Sequence, residues 1–172
     1  QDAIAQYEKI LSIDPEDSAT YNIIGDLYFQ IGQKDKSSAA LMRAAEEYEK
    51  RGMSAQALGV FKKIYKLAPD NPENCLKLAE LYAREGYVAD AKTVFMTAVS
   101  AYEDRNEFEA AARILDKVVG LDREDIETRK RLAEVYRRLK NKDLCLDQLD
   151  GIAEIMIERG DTKGAGEVLK EA

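Results

Sequence analysis

The sequence contains no histidine and no tryptophan, and it has only two cysteines and three prolines among 172 residues. Histidine is the commonest general base and metal ligand at neutral pH, and without it no Cys–His or Ser–His catalytic pair can form. Gly32, Gly52 and Gly86 stand singly, so no glycine-rich loop is available to hold a phosphate. We therefore predict no enzymatic activity, no cofactor and no metal site.

Adjacent carboxylates are the remaining candidates for acid–base chemistry. They occur as Glu46–Glu47 and as Glu103–Asp104, in stretches that we expect to form polar helix faces. We interpret both pairs as solvated surface and not as a catalytic site.

Cys75 and Cys145 are too few and too far apart for a disulfide framework or a metal site, so we interpret them as buried, reduced thiols. A reactive cysteine is the alternative. No run approaches the roughly 18 apolar residues that a membrane helix needs, and we expect no membrane insertion. We see no signal peptide and expect a cytoplasmic location. The chain opens and closes inside helical patterns, which we interpret as a segment of a longer protein.

The formal net charge of −7 disfavours a nucleic-acid partner, because neutralisation of phosphates supplies most of the affinity for nucleic acids. The charge is unevenly distributed along the chain. Carboxylates gather in residues 72–125, whereas residues 129–140 are rich in arginine and lysine.

A stride of 54 residues relates the parts of the chain to one another. A shift by this distance places Tyr28 on Tyr82 and Tyr82 on Tyr136, and it needs no insertion or deletion. A fixed period of this size marks stacked units that cannot bury their apolar faces alone. We therefore expect one domain over residues 1–172, made of a partial repeat (1–17) and three units (18–71, 72–125 and 126–172).

Apolar residues at helical spacing, with no strand pattern, predict about ten helices joined by short turns. The first seven are predicted over residues 2–13, 19–31, 35–51, 54–67, 72–84, 89–104 and 108–121, and residues 126–172 repeat the scheme. Asp17 or Ser18 can cap the second helix by accepting its free amide hydrogens.

Several helix ends are marked by residues that tolerate a left-handed backbone. Gly32 follows one predicted helix and Gly52 the next, while Asn106 and Gly160 hold the position of Gly52 in later units.

The last unit departs from this scheme at two places. Lys140 stands where Gly32 and Gly86 stand earlier, so we expect Asn141 to take the left-handed conformation one residue late. We also expect Gly151 to interrupt the helix around it, at a cost of about 1 kcal/mol relative to alanine.

A finer pattern recurs within each unit. Tyr21-x-x-Ile24-Gly25-x-x-Tyr28, then Gly32, then Ser37-x-x-x-Leu41-x-x-Ala44 resembles the tetratricopeptide repeat, a 34-residue helix–turn–helix. A second copy starts twenty residues on and shares a helix with the first, which gives three helices per period. The resemblance implies an all-α fold, an α-solenoid of antiparallel helices.

Two consequences follow from this resemblance. Small residues at Gly25, Ala79 and Ala133 are expected to let neighbouring helices approach closely. Because an odd number of helices inverts each successive unit, residues 54 apart are expected on opposite layers.

The family binds peptides, helices or loops of partner proteins, so the resemblance implies a non-enzymatic interaction scaffold. One variant of the family grips a C-terminal carboxylate with lysines, asparagines and an arginine. At the matching places this chain offers Asn22, Asp26, Glu73, Lys77, Glu80, Glu127, Arg131 and Glu134. The glutamates would repel a carboxylate, so we do not predict that mode of binding.

Three further surface features are candidates for partner binding. The basic helix carries Lys130, Arg131, Arg137 and Arg138, and it is either a solubilising face or a dock for an acidic segment. Met42 and Met96 lie outside the core stripe, where they either pack on a neighbouring helix or form an adaptable surface. The third set lies where first helices of the family often face the groove: Asn22, Phe29, Leu76 and Arg84.

Our alternative to a partner-binding scaffold is a structural module that self-assembles through its terminal helices. RNA binding ranks last, because the central unit is acidic and Tyr136, beside the basic residues, holds a core position.

Overall fold

Residues 2–170 are described in the computed structural model of the chain, and they form ten α-helices with no strand. In chain order these are α1 (Asp2–Ile13), α2 (Ser18–Gln30), α3 (Lys34–Lys50), α4 (Ser54–Leu67), α5 (Pro72–Arg84), α6 (Val88–Asp104), α7 (Phe108–Leu121), α8 (Ile126–Arg138), α9 (Lys142–Glu158) and α10 (Thr162–Val168).

Corresponding helices begin 54 residues apart, as the sequence period requires. Ser18, Pro72 and Ile126 start one set, and the helices that follow each of them are offset by the same distance. The connections are three or four residues long, which places successive helices antiparallel. The predicted all-α fold with three helices per 54-residue period, an α-solenoid by class, is confirmed.

The helices fall into two compact units, Gln1–Ala91 and Lys92–Ala172, and α6 spans the division. In the first unit each of α1 to α5 packs on its neighbour in sequence. Lys63 of α4 binds Asp26 of α2, and Arg84 of α5 binds Glu49 of α3. Hence α2 and α4 lie side by side in one layer, and α3 and α5 in the other.

In the second unit α7 packs on α8, α8 on α9 and α9 on α10. Arg131 of α8 binds Glu103 of α6 through two hydrogen bonds, of 2.6 and 3.2 Å. Helices α6 and α8 are therefore neighbours within one layer of this unit.

The N-caps of α2, α5 and α8 recur at one position of the period. Asp17 accepts hydrogen bonds from the backbone amides of Ala19 and Thr20, which decides between the two predicted caps. Asn71 and Asp125 cap the later helices in the same register. The hydrogen bond from the Thr20 hydroxyl is the largest cause that lowers the pKa of Asp17 below its ordinary value.

The left-handed residues at helix ends agree with the sequence at Gly32, Gly52 and Gly160, and Asn106 has a φ of 59°. At the other turn the prediction for Asn141 was wrong, because Lys140 itself is left-handed, with a φ of 57°. The backbone hydrogen bonds fix this register: the amide of Asn141 donates to Tyr136 as that of Gln33 does to Tyr28.

Gly151 does not interrupt α9, which continues from Lys142 to Glu158, so that expectation was also wrong. A Cβ at Gly151 would lie 2.9 Å from Nη1 of Arg129. The Arg129 side chain also donates to the Arg123 carbonyl and to Gln148. Glycine therefore makes room for an arginine that α8 lays against α9.

The tyrosines that defined the period occupy equivalent surroundings, each facing the residue twenty positions earlier. Tyr28 donates to Glu8 at 3.3 Å, and Tyr136 donates to Asp116 at 2.7 Å. At the same position the ammonium of Lys62 lies 5.2 Å from the ring centroid of Tyr82.

The core consists of the predicted apolar stripes. Fully buried side chains include Leu41, Phe61, Leu78, Leu115 and Leu132. Both cysteines are free and buried, as predicted. Burial raises the pKa of the Cys75 thiol to about 11, so this thiol stays protonated at neutral pH.

Candidate protein-binding surfaces

A groove between α2 and α4 brings together three of the residues singled out from the sequence. Phe29 is 56% exposed at its edge, and Asp26 and Asn22 follow along α2. The groove contains a cavity of about 190 Å³. The cavity is lined by Asp26, Phe29, Ser37, Leu41, Lys63, Lys66 and Leu67. We call this the α2–α4 groove.

One lysine organises the polar wall of the α2–α4 groove. The ammonium of Lys63 donates to both carboxylate oxygens of Asp26, at 2.6 and 2.8 Å, and to the Asn22 side chain at 2.9 Å. This lysine is already paired, so it mainly fixes the positions of Asn22 and Asp26. Lys66 is exposed and forms no ion pair within the part of the chain that the structure describes.

Sequence reasoning missed the lysines of the α2–α4 groove. The available signal was a charge pattern in the period: Asp26 and Glu80 share one position, and Lys63 and Lys117 share another. Helices two apart in sequence are neighbours within a layer, so opposite charges recurring at two positions indicate a contact between them.

Other candidates of the first unit do not belong to the α2–α4 groove. Leu76, Glu80 and Arg84 lie on α5 and Met42 lies on α3, in the opposite layer. Met42 and Leu76 are half-buried. Arg84 is exposed and binds Glu49 of α3 at 3.0 Å. The structure therefore does not bring Asn22, Phe29, Leu76 and Arg84 into one surface.

The predicted basic helix is α8, and its exposed cations are paired within the helix. Lys130 binds Glu127 at 3.0 Å, and Glu134 binds Arg137 at 2.9 Å and Arg138 at 3.4 Å. Exposed pairs of this kind are weak and exchange readily with other partners. They reduce, without abolishing, the positive charge that α8 offers.

Arg131 differs from the other cations of α8, because it points at α6. Its guanidinium binds Glu103, donates to the Ser100 hydroxyl at 2.9 Å and lies 3.9 Å from the Met96 sulfur. The candidates Arg131 and Met96 are thus in contact with each other.

Tyr136 is buried, with 6% of its surface exposed, as its core position predicted. Burial, followed by the hydrogen bond to Asp116, raises the pKa of its hydroxyl. A ring in this position is not accessible for stacking on a base.

The interpretation of Glu46–Glu47 as solvated surface was wrong for one of the two. Glu46 is exposed, but Glu47 is only 2% exposed and binds Lys50 at 2.7 Å. Consecutive helical residues point about 100° apart, so one of an adjacent pair can face inward. Within the described residues, no three histidine, cysteine or acidic side chains come together as a metal site.

None of the described helices is long and apolar enough to cross a membrane.

Two matches to the tetratricopeptide repeat cover residues 18–51 and 48–108 of the chain. A curated protein of Treponema pallidum (strain Nichols), "Putative GreA-associated domains protein", is 21% identical over 131 residues. This match covers 76% of the chain and 20% of that protein, so the chain spans about a fifth of the length of this relative.

Solved structures that resemble the chain include BtubC (BKLC) from P. vanneervenii, with 11% identity and a TM-score of 0.49. That comparison covers 98% of this chain and 84% of the other. YrrB, "a TPR protein with an unusual peptide-binding site", has 15% identity and a TM-score of 0.36, over 94% of this chain and 97% of the other.

Proposed function

The chain belongs to the tetratricopeptide repeat family, and from this premise we propose that it is a non-enzymatic scaffold that binds a partner protein or peptide. The fold, the lack of histidine and the absence of a metal-binding cluster among the described residues support this proposal. As part of it we retain one domain over residues 1–172, a cytoplasmic location and no nucleic-acid partner. Free, buried cysteines are compatible with a reducing compartment.

We propose the α2–α4 groove as the main binding surface, and the observation that carries this is its cavity beside an exposed aromatic ring. Phe29 and Leu67 give the cavity an apolar wall large enough for one side chain of a partner. Lys66 at the rim is available to a carboxylate. The favoured partner is therefore a peptide segment with an apolar anchor next to an acidic residue.

Selection from a displayed peptide library tests this proposal. We expect the wild-type chain to enrich peptides that combine an apolar anchor with a neighbouring Asp or Glu. Phe29→Ala should abolish binding of the enriched peptides, and Lys66→Glu should weaken it by about tenfold, the effect of roughly 1.4 kcal/mol.

Tyr87→Ala is the matched control, because Tyr87 is an exposed aromatic of the same unit (52%) that lies outside the α2–α4 groove. It should leave peptide binding unchanged, and circular dichroism should confirm that all variants are folded. Enriched peptides that bind Phe29→Ala as well as wild type would contradict the assignment of the α2–α4 groove.

Self-assembly through the terminal helices is the second candidate, and exposed apolar side chains on α1 favour it. Ile10 is 42% exposed and Ile13 86% exposed, whereas Ile64, one period on from Ile10, is fully buried. Charge opposes this candidate, since α1 and α9 are both rich in carboxylates and low in lysine. Light scattering over a wide concentration range decides: a rising mass supports stacking, and a constant monomer mass argues against it.

A further inference from the structure

Four side chains of α9 form an exposed stripe: Leu146, Asp150, Glu154 and Ile157. Leu146 is 37% and Ile157 53% exposed, although both are large and apolar. One period earlier these positions are held by Lys92, Met96, Ser100 and Glu103 of α6. We call the four residues the α9 stripe.

In α6 all four of these positions contact α8. Lys92 forms an ion pair with Asp125, the N-cap of α8. Met96, Ser100 and Glu103 surround the guanidinium of Arg131. This side of the helix therefore receives the helix two further along the chain.

The first unit uses the same side of α3. Glu49 holds the position of Glu103 and binds Arg84 of α5, again two helices along. Within the described residues no helix occupies the corresponding place beside α9, and no side chain of the α9 stripe has an ion pair or a hydrogen bond.

The chemistry of the α9 stripe differs from that of its counterparts. Apolar side chains stand near its two ends, where α6 has Lys92 and Glu103, and carboxylates stand between them. Further exposed carboxylates on α9 increase the negative charge, and none of them is paired among the described residues: Asp143, Asp147 and Glu158. Lys142 is the single cation of α9.

We propose that the α9 stripe docks a basic amphipathic helix of a partner protein. An arginine or lysine of this helix faces Asp150 and Glu154, as Arg131 faces Ser100 and Glu103 of α6. Apolar side chains of the same helix cover Leu146 and Ile157. This surface is separate from the α2–α4 groove, and it accepts a partner of opposite charge.

A second copy of the chain fits the α9 stripe less well. Its basic helix is α8, whose cations Lys130, Arg137 and Arg138 are already paired with glutamates. None of the described residues of α8 is a large, exposed apolar side chain that could cover Leu146 or Ile157. Charge alone would draw the two helices together, without the apolar contact.

The probe is a fluorescent, 18-residue helical peptide of leucine, lysine and alanine, with leucines along one face and lysines beside them. A second peptide has glutamate in place of every lysine. Fluorescence anisotropy should show binding of the lysine peptide that weakens with added salt, because screening reduces the attraction between exposed charges. The glutamate peptide should not bind.

Asp150→Lys with Glu154→Lys should weaken binding of the lysine peptide by at least about tenfold. The matched control is Glu109→Lys with Glu73→Lys, since both glutamates are exposed and lie on α7 and α5. This control changes the net charge equally and should retain wild-type affinity. Leu146→Ser with Ile157→Ser should weaken binding without any change in charge.

Three results would overturn the proposal. The stripe and control variants could lose affinity equally, which would mean attraction to net charge alone. The serine variant could bind as wild type does, which would remove the apolar contact. The chain could dimerise in sedimentation and lose this in Asp150→Lys with Glu154→Lys, which would make a second copy the occupant.

Discussion

The backbone of Gly25 on α2 lies directly against the side chain of Leu41 on α3. A Cβ added at Gly25 would stand 2.6 Å from Cγ and 2.7 Å from Cδ2 of Leu41, closer than real contacts allow. The Ser37 hydroxyl donates to the Gly25 carbonyl at 2.8 Å in the same interface. A small residue at this position therefore sets the distance between the two helices, as the repeat pattern predicted.

Gly25→Ala should destabilise the chain by about 1–3 kcal/mol, because the methyl group overpacks a well-filled contact. Gly59→Ala is the control: Gly59 is in α4, and an added Cβ would meet nothing within 4 Å. That change should stabilise the chain by about 1 kcal/mol through helix propensity. Urea unfolding measures both, and a Gly25→Ala variant as stable as Gly59→Ala would contradict the packing.

Lys140→Gly should stabilise the chain by about 1 kcal/mol, because it removes a side chain from a left-handed backbone. Asn141→Ala should destabilise it by about 1 kcal/mol, because Asn141 caps α9 by accepting from the Leu144 amide. Thermal melts of the two variants separate the roles of these neighbours. Loss of stability in Lys140→Gly would indicate that the left-handed residue has been misplaced.

Asp17 makes part of the stability depend on pH. Its pKa is lowered on folding, so the native state binds fewer protons than the unfolded state. The stabilisation is complete above the unfolded pKa of about 4 and is lost as the pH falls through the folded value. Asp17→Ala should therefore cost about 1 kcal/mol at pH 7 and less at pH 3. A cost that stays constant between these pH values would rule out a titrating cap.

The basic face of α8 has its own test. Reversal of Lys130, Arg137 and Arg138 to glutamate should reduce binding of a polyglutamate peptide while circular dichroism stays native. Reversal of the exposed lysines Lys9, Lys34 and Lys77 gives the same change in charge elsewhere. If both triple variants lose affinity equally, or if neither does, α8 is a solubilising face and not a dock.

The sequence predicted helices far better than contacts between helices. Gly32 and Gly52 end helices through a local backbone requirement, and Asp17 starts one through local hydrogen bonds, so each can be found within a few residues. The 54-residue stride then located the remaining helices, because equivalent residues must fill equivalent positions in a stack.

The errors arose where a distant neighbour decides. Gly151 was expected to weaken a helix, but Arg129 from α8 occupies the space beside it. Glu47 was expected on the surface because its neighbour Glu46 is there, yet it is buried in an ion pair. The pairing of Lys63 with Asp26 joins helices two apart, and helical periodicity carries no information about such a contact.

The most direct test of the account is a map of where a selected peptide binds. The measurement is the change in backbone amide chemical shifts when a library-selected peptide is added to the isotopically labelled chain. Our account predicts that the largest changes lie on α2 and α4, around Asp26, Phe29, Lys63 and Lys66. Changes centred on α5 or α8, with the α2–α4 groove unaffected, would contradict it.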